Sequence, residues 1–262
     1  MDRRAGQPAL LGISLKLYFN HRETMEWCRQ VAQLAREHPA VRQAAVSLFV
    51  LPSFPSLPLA SKLFADTPVG LGAQDLHWED RGAFTGEVSG TCLVEVGCAY
   101  VEVGHAERRR LFGETEEVVR AKTSAALRNG LVPVICVGEE EHGPAEPAAE
   151  ACIAQLASAL GLTAGAVNEG PAPRVVVAYE PVWAIGAAEP ASAEHIVAVC
   201  GRLRDWLAGS GYKDAQVIYG GSAGPGLLTA LGGGVDGLFL GRFAHRIEAL
   251  SKVIDEAARA VV

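Results

Sequence analysis

Short apolar runs rich in β-branched residues recur along the chain at residues 10–17, 44–51, 69–74, 99–103, 132–137, 175–179, 216–219 and 237–240. They read as near-continuous hydrophobic stretches and do not alternate with polar residues, which predicts strands buried on both faces. Good helix formers with helical period lie between them, for example at 22–37, 115–130, 148–160, 191–208 and 245–261. Strand and helix in alternation predict a parallel sheet covered by helices. Eight such repeats match a closed (β/α)₈ TIM barrel in both count and size, better than an open doubly wound sheet. No Gly/Ser/Pro-rich linker divides residues 1–262, so a single α/β barrel domain is expected. The stretch 139–150, rich in Glu, Pro and Ala, reads as a surface loop leading into a helix.

Chemistry in such a barrel sits on the loops that follow the strands, so the residues at which each run stops being apolar matter most. Those ends are Lys16, Gln74, His105, Glu180, Gly220-Gly221-Ser222 and Gly241-Arg242. Glu180 closes a buried strand, where partial desolvation raises a carboxyl pKa toward the range of a base that removes a carbon-bound proton. By itself it reads first as a solvated or salt-bridged Glu. What tips the reading is the next segment, Pro181-Val182-Trp183-Ala184-Ile185-Gly186. Large apolar side chains in a loop are costly to leave in water, so this loop is expected to have a packed, closed state. Pro181 stiffens its first hinge and Gly186 frees backbone near its tip.

His105 stands at a strand-to-turn junction, where an imidazole can polarise a carbonyl and pass a proton between adjacent oxygens; a structural role is the simpler alternative. The charged run 107–110 that follows reads as an ion-pair network holding the loop and not as a phosphate clamp. Lys16, in an otherwise apolar strand, needs either a carboxylate partner or an anionic ligand. The two glycine turns after the last two strands can bring backbone amides close to a phosphate.

A net charge of −7 argues against nucleic acid or an anionic membrane surface as the partner. The six Cys form no C-x-x-C motif and no metal-ligand spacing, so they read as buried free thiols in a reducing compartment. No apolar stretch approaches the ~18 residues of a membrane span, and the first residues lack the apolar core of a signal peptide. A cytoplasmic protein is expected. Neither a P-loop nor a G-x-G-x-x-G after a strand is present, so no cofactor and no metal is expected. The parts suffice for proton transfer beside the carbonyl of a small phosphorylated substrate.

The segments 178–186, 104–109, 82–87 and 219–222, together with Lys16, resemble triosephosphate isomerase in order and spacing over essentially the whole chain. The resemblance implies Glu180 as the base moving a proton between adjacent carbons, with His105 as a neutral electrophile and Lys16 as a cationic anchor. It further implies a closing lid over 181–188, phosphate on amides at Gly186, Ser222 and Gly241 within the glycine turns of Gly220 and Gly221, and Glu107 beside Lys16. A homodimer is implied through the loop between Gln74 and Glu87, whose Thr85 would reach into the partner's site.

The departures bear on substrate. Ser14 stands where the family normally has Asn, Leu15 where it has Trp, Ala106 where it has Ser, and Arg242 where it has a second Gly. Ala187 and Ala188 stiffen a hinge that often carries Gly. Some relatives act on erythrulose phosphates, in which a CH₂OH group replaces the aldehyde hydrogen of the triose, and Ser14 and Arg242 look similar to that group. The reaction is therefore expected to be either the interconversion of dihydroxyacetone phosphate and glyceraldehyde 3-phosphate or its four-carbon counterpart. A non-catalytic phosphate-binding barrel is disfavoured by intact Glu180, His105 and Lys16, and a Schiff-base aldolase by the lack of a second buried Lys at a strand end.

Overall fold

The computed structural model describes residues 7–162, 172–187 and 189–260. Eight parallel strands follow one another around a closed barrel: β1 Ala9–Ser14, β2 Val46–Leu51, β3 Val69–Ala73, β4 Tyr100–Val103, β5 Val132–Val137, β6 Val176–Tyr179, β7 Gln216–Tyr219 and β8 Gly237–Leu240. Closure is made by β1, which pairs with β2 on one side and β8 on the other. The helices are α1 His21–Glu37, α2 Pro39–Arg42, α3 Leu57–Phe64, α4 Gly90–Glu95 and α5 Ala106–Phe112 in the first half. The second half carries α6 Glu116–Arg128, α7 Ala145–Ala159, α8 Ala193–Gly209, α9 Leu227–Leu231 and α10 Ile247–Arg259.

Because side chains alternate along a strand, each strand supplies two cores. One set, including Leu10, Phe49, Tyr100, Val134, Val176 and Phe239, fills the barrel interior. The other packs outward against the helices, where α1 buries Met25, Trp27, Cys28 and Val31. Gly12 is dictated by this filling: a Cβ on it would lie 2.2 Å from Cζ of Phe49. Asn20 caps α1 with a reciprocal bond to Glu23, so the helix begins immediately after the β1 loop.

The first apolar run ends earlier than its pattern suggested. β1 stops at Ser14, Lys16 takes a left-handed backbone (φ 48°) and Leu17 is 92% exposed. Lys16 thus belongs to the loop above the barrel and not to the strand. The stretch 139–150 also differs from expectation: Glu139 is buried and the helix begins at Ala145. Polar bonds to Glu139 pull it inward, which composition does not encode. The short helices α3, α4 and α5 carried too few turns for a periodic signal, and Val261, at the expected end of the last helix, lies outside the described residues. All six cysteines are free, and five are buried as expected, whereas Cys92 is exposed. Among the described residues no helix is long and apolar enough to cross a membrane.

Candidate active site

The C-terminal ends of the strands surround a cavity of about 630 Å³, lined among others by Ser14, Lys16, Glu180, Ile185, Gly221 and Arg242. Glu180 directly follows β6, and its amide donates to the Val137 carbonyl at 2.8 Å, which fixes where the carboxylate emerges. That carboxylate is 7% exposed and its Oε2 has no hydrogen-bond partner. Gly220 makes the room: a Cβ there would lie 2.3 Å from Cγ of Glu180. Its N–H is taken by the Tyr179 carbonyl at 2.8 Å, so this amide is not available to a phosphate, contrary to the expectation for that turn. Gly221, with φ 94°, turns the chain over the cavity rim.

His105 caps α5. Its Nδ1 accepts from the Glu107 amide at 3.0 Å, so the ring proton of the neutral imidazole resides on Nε2. That Nε2 is buried without a hydrogen-bond partner and lies 3.4 Å from Oε2 of Glu180. Two buried polar atoms left unsatisfied side by side signal chemistry awaiting a third group.

Lys16 is held above them. Gln74 donates to the backbone oxygens of both Lys16 (3.0 Å) and Leu51 (2.9 Å), which supports the left-handed turn. Gln74 is therefore a brace of the site and not simply the start of an interface loop. The Lys16 ammonium donates to Oε1 of Glu107 at 2.8 Å. Burial alone would lower its pKa, but the hydrogen bond to Glu107 and the fields of Glu180, Glu107 and Glu102 raise it above the ordinary value. The cation is kept charged at every physiological pH. Two arginines of the neighbouring run pair as expected, Arg108 with Asp75 (2.8 Å) and Glu114 (2.5 Å) and Arg109 with Glu116 (2.6 Å), whereas Arg110 lines the cavity.

The loop that follows Glu180 is tied at both ends. Glu139 accepts from the Trp183 indole (2.8 Å) and the Tyr179 hydroxyl (3.1 Å), and its backbone oxygen accepts from Val182 (2.9 Å). At the far end Ser222 Oγ donates to the Ala187 carbonyl at 2.5 Å and the Ala191 amide to the Tyr219 hydroxyl at 3.2 Å. Gly186, Ser222 and Gly241 all face the cavity. Arg242 lines the cavity as well, with its guanidinium 6.0 Å from the centre of the Tyr18 ring. Ala106 also lines it, so no side-chain hydroxyl from that position reaches Glu180. Ala188 lies outside the described residues, and Thr85 is exposed on a loop that does not contribute to the cavity of its own chain.

One buried carboxylate was not singled out by the motifs. Glu102, on β4, points into the barrel among apolar residues, where its Oε2 accepts from Ser14 Oγ at 2.9 Å. Its Oε1 lies 4.0 Å from His105 Nε2 and 3.9 Å from Cys136 Sγ. Desolvation pushes its pKa up to about 7, with the Glu180 charge adding to the rise and His105, Ser14 and Lys16 opposing it.

The triosephosphate isomerase family model matches residues 9–257. The chain belongs to that family. As a triosephosphate isomerase family member it is an isomerase, in a family that acts on small phosphorylated sugars. It is 54% identical to the L-erythrulose-1-phosphate isomerase of Pectobacterium atrosepticum over 94% of this chain and 95% of that one. With the triosephosphate isomerase of a Synechococcus species it shares 32% identity over 97% and 99% of the two chains. Its structure is similar to a crystal structure of triosephosphate isomerase from Bartonella henselae, with a TM-score of 0.76 at 25% identity, covering 97% of this chain and 99% of the other. Glu139 and Glu102 are among the residues of this site that the motifs did not reveal, as are Tyr18, Phe243 and Arg246, which line the cavity. The first stood in a polar stretch, and the second could have been noticed as a lone carboxylate inside the apolar run 99–103.

Proposed function

We propose that this isomerase interconverts two erythrulose phosphates. The observation that carries the reading is the state of Ser14: a short side chain at the cavity floor, its hydroxyl turned onto Glu102, beside the site where carbon is deprotonated. A longer residue there would occupy the volume that a substrate lengthened by one CH₂OH group must enter. The 54% identity to an L-erythrulose-1-phosphate isomerase supports the same choice.

In this reading Glu180 takes the proton from C3 of erythrulose 1-phosphate. The C–H electron pair becomes the C2–C3 double bond and the negative charge moves to O2. The Nε2–H of His105 and the ammonium of Lys16 stabilise that enediolate oxygen, aligned before the charge develops. His105 passes a proton between O3 and O2, and Glu180 returns its proton to C2. The carbonyl is then on the former C3, and the product is the isomeric erythrulose phosphate. Amides at Gly186, Gly221, Ser222 and Gly241 hold the phosphate, with Arg242 adding positive charge at the rim. Lid closure over 181–188 excludes water and protects the intermediate from phosphate elimination.

The catalytic set and lid equally suit triose phosphate, which is the second reading, supported by the 32% identity to a triosephosphate isomerase. Comparing kcat/KM for erythrulose phosphates and triose phosphates on one preparation decides between them. A preference for the triose pair removes the four-carbon assignment, and no deuterium uptake from D₂O into either substrate removes the isomerase mechanism through Glu180.

We infer further that two chains associate through the loop between Gln74 and Glu87. Leu17 (92% exposed), Leu111 (62%) and Phe112 (67%) are large apolar side chains left in water by one protomer, and Phe84 on that loop is a fourth.

A further inference from the structure

A carboxylate inside an apolar barrel is expensive to bury unless something holds it, yet Glu102 is only 3% exposed. Of the groups around it, the Ser14 hydroxyl, donated across the barrel from β1 to β4 at 2.9 Å, is at full hydrogen-bonding distance. Ser14 lines the cavity and Glu102 does not. The serine therefore stands between the carboxylate and any ligand. A hydroxyl has a single proton, and here it is committed downward, so what Ser14 turns to the cavity is lone pairs. A group that meets it from above must be a donor.

We propose that Glu102 is a specificity-determining positioning residue, which fixes Ser14 Oγ as the acceptor for the terminal hydroxymethyl group of a four-carbon ketose phosphate. The inference deepens the erythrulose phosphate reading and rests on it. The chain substrate O–H to Ser14 Oγ to Glu102 runs in one direction and ends on the Oε2 acceptor of Glu102, so each link strengthens the next. The triose substrates have no fourth carbon beyond the reacting pair to present that hydroxyl and gain nothing from it. Discrimination comes from a polar group that the smaller substrate leaves unanswered, a stronger device than space alone. Oε1 of Glu102 also lies 4.0 Å from His105 Nε2, the nitrogen that faces Glu180 at 3.4 Å.

The test is the ratio of kcat/KM for erythrulose phosphate to that for dihydroxyacetone phosphate, measured on the full-length protein and its variants. Ser14→Ala removes the acceptor and is expected to lower the ratio by about tenfold or more, mainly through KM for the four-carbon substrate. Glu102→Leu frees the serine proton and is expected to lower the ratio similarly. Glu102→Gln, which keeps an oxygen for Ser14, is expected to restore most of it. In the Ser14→Ala background Glu102→Leu should have no further effect on the ratio, since the second residue acts through the first. A ratio unchanged in Ser14→Ala overturns the proposal even if Glu102→Leu does not fold, and so does a further drop in the double variant. If the unmodified protein does not turn over erythrulose phosphate, the four-carbon reading itself is lost; if it does and the variants keep its ratio, only the role of Glu102 is lost.

Discussion

Nε2 of His105 and Oε2 of Glu180 lie 3.4 Å apart, both buried and both without a hydrogen-bond partner. The imidazole presents a proton, because its other nitrogen is occupied by the Glu107 amide, and the carboxylate presents a lone pair. A substrate lying across the pair, with its carbonyl oxygen on Nε2 and its neighbouring C–H on Oε2, would satisfy each atom with the group it lacks. This places a demand on distance. Glu180→Asp withdraws the carboxylate by about 1 Å, and kcat is expected to fall by about 100-fold or more with little change in KM, measured by steady-state kinetics on the preferred substrate. Unchanged kcat would take the base out of the mechanism.

Burial of Glu102 gives a pH signature in stability. Its carboxyl pKa is raised from 4.5 to about 7, so the folded protein binds a proton more tightly than the unfolded chain does. The group's contribution to stability is therefore fully present below pH 4.5, declines as pH rises from there to about 7, and is replaced above that by the cost of a buried charge. Thermal unfolding of the native protein and of Glu102→Gln, compared at pH 5 and pH 8, should show the variant gaining Tm relative to the native protein at the higher pH. An equal Tm difference at both pH values would mean that Glu102 does not titrate in this window.

How far the sequence reveals this arrangement depends on whether a residue's role is local. The barrel was legible because its information is periodic: eight apolar runs buried on both faces recur along the chain. Glu180, His105 and Lys16 were legible because they interrupt those runs at their ends. Glu139 was not, since its partners Tyr179, Trp183 and His195 lie 40 or more residues away. Glu102 is a similar case, satisfied by Ser14 from 88 residues away across the barrel. The expectation that Gly220 offers its amide to phosphate failed for the same reason: only the folded strand pair shows that amide already bound to Tyr179.

At the start of the loop proposed as a lid, one carboxylate, Glu139, serves several donors. Trp183→Phe removes the indole N–H that donates to Glu139 at 2.8 Å while keeping most of the ring's packing. Loss of one charge-assisted bond is worth about 1.5–3 kcal/mol where it is made. If the bond belongs mainly to the closed lid, kcat/KM is expected to fall by about tenfold, and the fraction of substrate lost to phosphate elimination should rise as closure weakens. Product partitioning measured as inorganic phosphate released per turnover checks this, and an unchanged partition would assign the Trp183–Glu139 bond to fold stability alone.

The apolar side chains that one protomer leaves exposed give the last prediction. Leu111 and Phe112 close α5, directly after the arginines that hold that helix to Asp75, Glu114 and Glu116. Leu17 projects from the same loop that positions Lys16 through Gln74. An interface that covers them would therefore support the turn that carries the cationic anchor, and association and activity would be linked. Sedimentation of the native protein at micromolar concentration is expected to give a dimer. Phe112→Glu places a charge in the covered patch and should shift the equilibrium to monomer, since desolvating an unpaired carboxylate disfavours assembly. The monomer is expected to lose kcat because Lys16 sits in a strained left-handed turn (φ 48°) whose outer side would then face water. Monomeric native protein with full activity would show that the Gln74 brace alone suffices to hold Lys16 in place.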